Sequence, residues 1–248
     1  MNREAQNALL LLLGLSTAMV AVTGSFTRYV KPSLLPWLLI SAAALLALAV
    51  TCIVRDLRAA GQHHDADHQD HSDHVHRSGV LWLLTIPVLV LIFVVPPALS
   101  ARSVTSSVSL VSSDVLRKAY PPLPAGDAPL RSLAETMVRS RYDTAGTLTG
   151  RTITLVGFTV KDRRNPGVTD LARITITCCA ADARMSRIAL SGPPAGAAAA
   201  LPENTWVRVQ GVVRPPKSAD PEELSIMTVS ALQRINPPAD QYDYFTSW

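Results

Sequence analysis

Residues 77–248 of this chain contain no histidine, because all six histidines fall between positions 63 and 76. This absence excludes a Cys-His or Ser-His nucleophilic pair from the C-terminal part, since both arrangements need an imidazole base. The chain also lacks the Walker, dinucleotide-binding and HExxH motifs. We therefore expect a protein that is not an enzyme.

Cysteine is scarce, with three residues in the whole chain. Cys52 lies in an apolar stretch, where a packed thiol is expected. Cys178 and Cys179 are adjacent, so a disulfide between them would be strained. The cysteine content therefore does not indicate a disulfide framework.

Charged residues and histidine are missing from three stretches, at residues 5–27, 32–54 and 78–101. A helix of this length spans about 34 Å, which exceeds a hydrocarbon core of about 30 Å. We predict three transmembrane helices and therefore a multi-pass membrane protein. The first stretch has one alternative, a cleaved signal peptide with a loose processing site near Ala21 to Gly24.

The distribution of positive charges predicts the orientation in the membrane. With a cytoplasmic amino terminus, the inside segments hold one more basic residue than the outside segments. The inside residues are Arg3, Arg55, Arg58 and Arg77, and the outside residues are Arg28, Lys31 and Arg102. This orientation places residues 61–77 in the cytoplasm and the C-terminal part outside the cell, although the margin leaves the opposite orientation open.

The histidines are present in a dense cluster with aspartates, on a loop at residues 61–77. Imidazole and carboxylate are suitable ligands for zinc and other divalent cations. The alternative is a solvated low-complexity spacer that binds metal adventitiously. The candidate ligands are His63, His64, Asp65, Asp67, His68, Asp70, His71, Asp73, His74 and His76.

The C-terminal part is predicted to be a soluble, mainly β domain at residues 127–248, joined by a tether at 102–126 to a membrane region at 1–101. A short helix over residues 130–138, capped by Asp127, precedes five segments with strand patterns. Gly157 and Gly211 lie inside two of the segments, where they permit bends or bulges. Five short strands with this spacing favour an OB-like five-stranded barrel. The segments are residues 152–160, 173–178, 187–190, 206–213 and 226–232.

OB-folds often bind nucleic acids, which requires a basic groove and aromatic stacking platforms. Phe158 and Trp206 are the only aromatic residues in the predicted strands, and the basic residues form no run. We therefore expect no nucleic-acid partner.

A second candidate metal site consists of Cys178, Cys179 and Asp182. Adjacent side chains point to opposite faces of a regular strand, so both thiols can meet one ion only where the strand ends. The alternative is one cysteine in the core, the other half-exposed, and Asp182 capping a turn. An extracytoplasmic location would expose unpaired thiols to oxidation, which favours a bound metal or burial.

Several motifs occur together in this chain. Besides the apolar stretches and the His/Asp loop, they are Gly157-Phe158, Arg173, residues 178–182, Trp206-Val207, Gly211, Pro237-Pro238 and Tyr242 to Tyr244. Together they resemble the YcgQ-like family of bacterial permease subunits. The resemblance implies a multi-pass plasma-membrane protein that works with a separate permease in zinc homeostasis. Arg173 and Trp206 belong to this pattern, although both are also ordinary structural residues.

The leading hypothesis is a non-catalytic accessory subunit of a membrane permease that handles zinc or another divalent metal ion. The apolar stretches lack the ionisable residues that usually mark an ion route, so we do not expect the chain to conduct ions alone. One alternative is a membrane-anchored metal-binding or sensor protein that acts without a permease. Another is a transporter formed by self-association.

Overall fold

The computed structural model describes residues 3–60, 120–162, 165, 167–218, 220 and 223–244. The chain divides into two compact units, Met1–Pro97 and Ala98–Trp248. The His/Asp loop, the third apolar stretch at residues 78–101 and residues 102–119 of the predicted tether lie outside the described residues.

Residues 3–60, the described part of the N-terminal unit, form two α-helices, α1 (Arg3–Val22) and α2 (Leu35–Ala60). Two short 3-10 helices, Ser25–Arg28 and Pro32–Leu34, connect them. Gly24 precedes the first of these turns with a φ of 73°, a left-handed conformation that glycine adopts at little cost. The chain therefore leaves α1 at Val22 and reverses direction toward α2.

Small and polar residues line the contact between α1 and α2. Ala21 of α1 and Ala42 and Ala49 of α2 are buried, and Asn7 is 9% exposed. A Cβ atom added to Gly14 would lie 2.9 Å from the side chain of Leu46 in α2, so the two helices approach closely at this glycine. Asn7, Gly14 and Ala21 recur every seven residues, as expected for one face of a helix that follows its partner. Small residues at such positions let helix backbones pack closely.

The described residues contain one helix that is long and apolar enough to cross a membrane, at Pro32–Arg58. Its position and composition fit a membrane anchor, and a signal sequence near the amino terminus would pass the same test. The apolar part of α1, Gln6–Val22, is shorter because residues 23–27 belong to the turn. The prediction of three transmembrane helices is therefore wrong as a fold class, and a multi-pass location is not supported.

In the C-terminal unit, the described residues form two short α-helices and six strands. The helices are α3 (Leu133–Tyr142) and α4 (Pro193–Ala200). The strands are β1 (Thr152–Lys161), β2 (Thr169–Ile176), β3 (Arg184–Ser191), β4 (Trp206–Arg214), β5 (Ile226–Arg234) and β6 (Tyr242–Tyr244).

The strands form a mixed six-stranded sheet in the order β1-β4-β5-β3-β2-β6, and β1 also pairs with β2. β3 pairs with β5 in parallel, and β6 pairs in parallel with β2. The prediction of an OB-like five-stranded barrel is therefore wrong. Sequence patterning missed β6 because a strand of three residues is too short to show alternation.

Two strand glycines lie where neighbouring backbones come very close. A Cβ atom on Gly157 would lie 2.4 Å from the carbonyl oxygen of Ala172, and one on Gly211 would lie 2.2 Å from that of Thr228. The pairing of β4 with β5 shifts register between Gln210 and Gly211. The prediction that these glycines permit bends or bulges is confirmed at Gly211.

The core of the C-terminal unit consists of aliphatic side chains from the strands together with residues of both helices. Leu133 of α3 and Ala198 of α4 are buried in it. A second cluster surrounds Phe158, Met185 and Tyr242. The largest fully buried strand side chains are Ile153, Leu155, Leu171, Ile174, Ile176, Ile188, Val207, Val209 and Met227.

Candidate metal-binding site

The candidate site lies at the end of β2, where the strand pattern stops at Ile176. The chain bends at Thr177 and Cys178, and a 3-10 turn follows at Ala180–Asp182. Because the bend breaks the alternation of a regular strand, the two adjacent thiols are not forced to opposite faces. The Sγ atoms of Cys178 and Cys179 are 3.8 Å apart. One ligand atom from each of Cys178, Cys179 and Asp182 lies within 4.8 Å of the others.

The carboxylate of Asp182 organises this turn. Its Oδ1 accepts a hydrogen bond from the backbone N–H of Thr177 at 2.8 Å, and its Oδ2 accepts from those of Cys178 at 2.7 Å and Cys179 at 3.1 Å. In return, the Cys179 side chain accepts from the backbone N–H of Asp182. This reciprocal arrangement fixes the positions of both thiols relative to the carboxylate.

The hydrogen bonds also separate the pKa values of Asp182 and Cys178. Burial alone would raise the pKa of Asp182, but hydrogen bonds from the Cys178 thiol and from the three backbone N–H groups lower it to about 2. Two hydrogen bonds of the Cys178 thiol, the stronger one with Asp182 and the weaker one with Cys179, raise the pKa of Cys178 to about 11. At neutral pH the site therefore holds an ionised carboxylate beside a protonated Cys178 thiol.

The site is accessible to solvent. Cys178 is exposed, and Cys179 and Asp182 are half-buried. A cation could therefore reach all three ligands without unfolding the domain.

The other predicted metal ligands are untested by the structure. The ten histidine and aspartate residues between positions 63 and 76 lie outside the described residues. Cys52 is half-buried in α2 as a free cysteine.

Arg173 and Trp206 have structural contacts. The Arg173 guanidinium lies 5.7 Å from the centre of the Trp206 ring and donates hydrogen bonds to the carbonyl oxygens of Val156 at 3.2 Å and Asp240 at 2.6 Å. Trp206 also packs edge to face on Phe158, with ring centres 5.6 Å apart. These contacts join β1, β2, β4 and the segment before β6, as expected of a residue that stabilises the fold.

Asp243, which the sequence indicated only as part of the motif Tyr242 to Tyr244, connects β6 to α3. Its Oδ1 lies 3.0 Å from Nε of Arg173. Its Oδ2 accepts hydrogen bonds from Ser132 Oγ at 2.8 Å and from the backbone N–H groups of Leu133 at 2.8 Å and Ala134 at 3.2 Å. An ionised carboxylate at a helix N-terminus satisfies otherwise unpaired N–H groups.

The predicted cap of α3 at Asp127 is also wrong, because Ser132 is the N-cap and its Oγ accepts from the backbone N–H of Glu135 at 3.3 Å. The Ser-x-x-Glu spacing of Ser132 and Glu135 is a capping signal that the sequence already contained. No sequence signal predicted the contact of Asp243 with Ser132, because the two residues are 111 positions apart along the chain.

Both parts of the chain match known domain families. Residues 6–108 match the DUF1980 N-terminal domain, and residues 134–245 match the DUF1980 C-terminal domain. The chain carries both DUF1980 domains. The candidate site at residues 178–182 lies within the C-terminal DUF1980 domain, and α2 lies within the N-terminal one.

No curated protein matches the chain. Among solved structures, one described as an aspartyl-tRNA synthetase from Leishmania major Friedlin is similar at 10% identity over 49% of this chain. The chain covers 24% of that protein, and the TM-score is 0.27. Similarity at this level supports no conclusion about the fold or the function.

Proposed function

We propose that this DUF1980 protein is a membrane-anchored, non-catalytic protein that binds a divalent cation, with zinc as the first candidate. The observation that carries the proposal is the convergence of Cys178, Cys179 and Asp182 within 4.8 Å at the end of β2. Thiolate sulfur and carboxylate oxygen are both ligands that zinc accepts. The length and composition of Pro32–Arg58 support membrane anchoring.

The chemistry of the thiols supports binding over catalysis. A catalytic cysteine usually has a lowered pKa, because the thiolate is the nucleophile. The carboxylate of Asp182 raises the pKa of Cys178 to about 11 instead. A divalent cation can displace the thiol protons and bind the thiolates, which a neutral substrate cannot do.

We further propose that the His/Asp loop, with its candidate ligands at residues 63–76, also captures metal ions. Its neutral imidazoles would lose affinity for metal as the pH falls through about 6.5. We also propose that the protein is an accessory subunit of a permease, because it resembles the YcgQ-like family.

Metal binding to the full-length protein in detergent tests the proposal. Zn²⁺ affinity and stoichiometry would be measured by competition with a chromophoric chelator. The proteins compared are the unmodified chain, Cys178→Ser/Cys179→Ser, a chain with residues 63–76 replaced by Gly and Ser, and a chain with both alterations. Cys52→Ser is the matched control for loss of a thiol. We expect both altered sites to reduce the zinc stoichiometry and the control to leave it unchanged. Zinc binding that persists undiminished in a protein carrying both alterations would refute the proposal.

Co-purification separates the permease subunit from the stand-alone alternative. We expect affinity-tagged protein isolated from native membranes to carry a stoichiometric multi-pass partner, identified by mass spectrometry. Isolation of the protein by itself, with metal bound, would favour a membrane-anchored metal-binding or sensor protein.

A further inference from the structure

We infer that the site at Cys178, Cys179 and Asp182 is an open transfer site, which holds a tetrahedral divalent cation by three ligands and takes its fourth ligand from outside the described part of the chain. This inference rests on the proposed metal-binding function and adds the geometry of the cation and the mode of exchange.

The spacing of the thiols indicates the coordination geometry. Two metal–sulfur bonds of about 2.3 Å that meet at the tetrahedral angle place the sulfurs about 3.8 Å apart. The Sγ atoms of Cys178 and Cys179 are 3.8 Å apart. A linear two-coordinate ion with bonds of the same length would need sulfurs about 4.6 Å apart. The pair is therefore spaced for a tetrahedral ion without rearrangement of the turn.

Asp182 can supply the third ligand and still hold the turn together. Each carboxylate oxygen has about two acceptor positions. Backbone N–H groups occupy both positions on Oδ2, from Cys178 and Cys179, but only one on Oδ1, from Thr177. Oδ1 therefore retains a position for a cation after the Cys178 thiol has lost its proton.

A fourth protein ligand is missing from the described part of the chain. The group of side chains able to share an ion at this turn has three members. The two residues between Cys179 and Asp182 are Ala180 and Ala181, which carry no ligand atom in their side chains, and Ala181 is exposed. Structural zinc sites usually have four protein ligands, whereas sites with three leave one position for a water or an incoming molecule.

An open, exposed position permits exchange of the ion by ligand substitution. A thiolate or imidazole of a donor can occupy the fourth position before the protein ligands are released, so the ion need not pass free through solvent. Three ligands on one turn of five residues also form and release with little reorganisation of the sheet. These properties suit a protein that passes an ion on.

Cobalt spectroscopy tests the inference on the full-length chain with residues 63–76 replaced by Gly and Ser, so that its own histidines cannot fill the fourth position. We expect one Co²⁺ per chain, with a thiolate-to-cobalt charge-transfer band that Cys178→Ser and Cys179→Ser each reduce by about half. Asp182→Asn should lower the Co²⁺ affinity by about 10- to 100-fold while leaving the charge-transfer band at saturating cobalt. Cys52→Ser and Asp240→Asn are the controls, and circular dichroism verifies the fold of each variant.

Imidazole is the probe for the open position. We expect saturable binding of one imidazole per cobalt, seen as a shift of the d–d bands while the thiolate band persists. A d–d spectrum that does not respond to imidazole would refute the open position and leave metal binding intact. Metal-dependent dimerisation with one cobalt per two chains would also refute it, because a second copy would then supply the missing ligand. Absence of a thiolate band would refute both the inference and the assignment of metal to this turn.

Discussion

The two units of the chain bury opposite kinds of side chain. The N-terminal unit, called the helical unit below, buries Ala42 and Ala49, whereas Val22 is 81% exposed and Trp37 is 69% exposed. The C-terminal unit, called the β unit below, buries its large aliphatic residues and also several charged groups, including Asp170 and Asp243. Extensive exposed apolar surface is rare on a monomeric soluble protein and is typical of a surface that meets lipid or another protein. The comparison supports an apolar environment for the outer faces of α1 and α2.

The charged groups inside the β unit are paired. Asp170 contacts Arg187, with Nε of the arginine donating at 3.0 Å, and Glu135 accepts from Nη2 of Arg139 at 2.9 Å. Burial raises the pKa of Asp170, although the neighbouring Arg187 opposes this rise. Removing one partner of such a pair leaves the other charge buried and unpaired, which costs more than the pair itself contributes. The β unit should therefore be most sensitive to changes in charge, and the helical unit to changes in size.

The largest expected effect is loss of Asp243. Asp243→Ala removes the ion pair with Arg173 and the hydrogen bonds to the start of α3, so we expect the free energy of unfolding of the β unit to fall by about 3–5 kcal/mol. Urea denaturation followed by circular dichroism measures this change. Asp240→Asn, at an exposed carboxylate, should change it by less than about 0.5 kcal/mol. Equal effects of the two substitutions would contradict the role of Asp243.

Crowding of the β unit at its strand glycines should have the next largest effect. Gly157→Ala places a Cβ atom 2.4 Å from the Ala172 carbonyl oxygen, and we expect destabilisation by about 1–3 kcal/mol. Gly196 is the matched control, because it lies in α4 with open space around its Cα. Gly196→Ala should stabilise the unit by about 0.5–1 kcal/mol, since alanine favours a helix over glycine. Thermal unfolding of the two variants should therefore shift in opposite directions.

The helical unit should respond to size on one face of α2. Ala49→Leu inserts a large side chain into the contact with α1, whereas Ala47→Leu adds the same side chain at an exposed position. The Nδ2 of Asn7 and the Oδ2 of Asp56 are 2.7 Å apart, so a short bifunctional thiol reagent that joins Asn7→Cys to Asp56→Cys reports the contact between the helices. In a chain with its native cysteines replaced by serine, we expect Ala49→Leu to reduce cross-linking about tenfold, corresponding to overpacking by about 1.4 kcal/mol.

Ala47→Leu should leave the yield of this cross-link unchanged. Equal cross-linking in the two leucine variants would show that the face of α2 that contains Ala49 is not the one that meets α1.

The smallest expected effect concerns the reactivity of the metal-free site. Asp182→Asn removes the carboxylate that holds the proton on Cys178, so the pKa of this thiol should fall from about 11 toward its usual range. At pH 8 more of the thiol is then ionised, and we expect alkylation of Cys178 by iodoacetamide to become about tenfold faster, after allowing for the lower nucleophilicity of a more acidic thiol. Peptide mapping by mass spectrometry separates Cys178 from Cys179 and Cys52. An unchanged rate would contradict the hydrogen bond between Asp182 and Cys178.

The pH dependence of the turn has a definite sign. The pKa of Asp182 is lowered to about 2, below the usual value for aspartate, so its hydrogen bonds stabilise the folded domain at neutral pH. That stabilisation is lost as the pH falls from about 4 toward 2. Asp182→Asn should therefore reduce the difference in stability between pH 7 and pH 2, which urea denaturation at the two pH values measures.

Residue patterns predicted much of the β unit. The alternation of apolar and polar residues located the five longer strands. The strand ends were displaced, most of all for β2, which begins at Thr169 and ends at Ile176. The pattern also placed Cys178 inside the strand, whereas the bend after Ile176 excludes it. Alternation does not record where a strand ends when apolar residues continue into a turn.

The sequence by itself determined which chemical groups are available: two adjacent thiols and an aspartate four residues after the first, no histidine after position 76, and small residues every seven positions in α1. Only the tertiary structure decided that the carboxylate of Asp182 accepts hydrogen bonds from the backbone N–H groups of both cysteines. It also decided that Asp243 accepts hydrogen bonds at the start of α3, although it lies 111 residues from Ser132 along the chain. The physical reason is that composition and periodicity report local preferences. Hydrogen bonds and ion pairs between distant segments depend instead on which strands lie side by side.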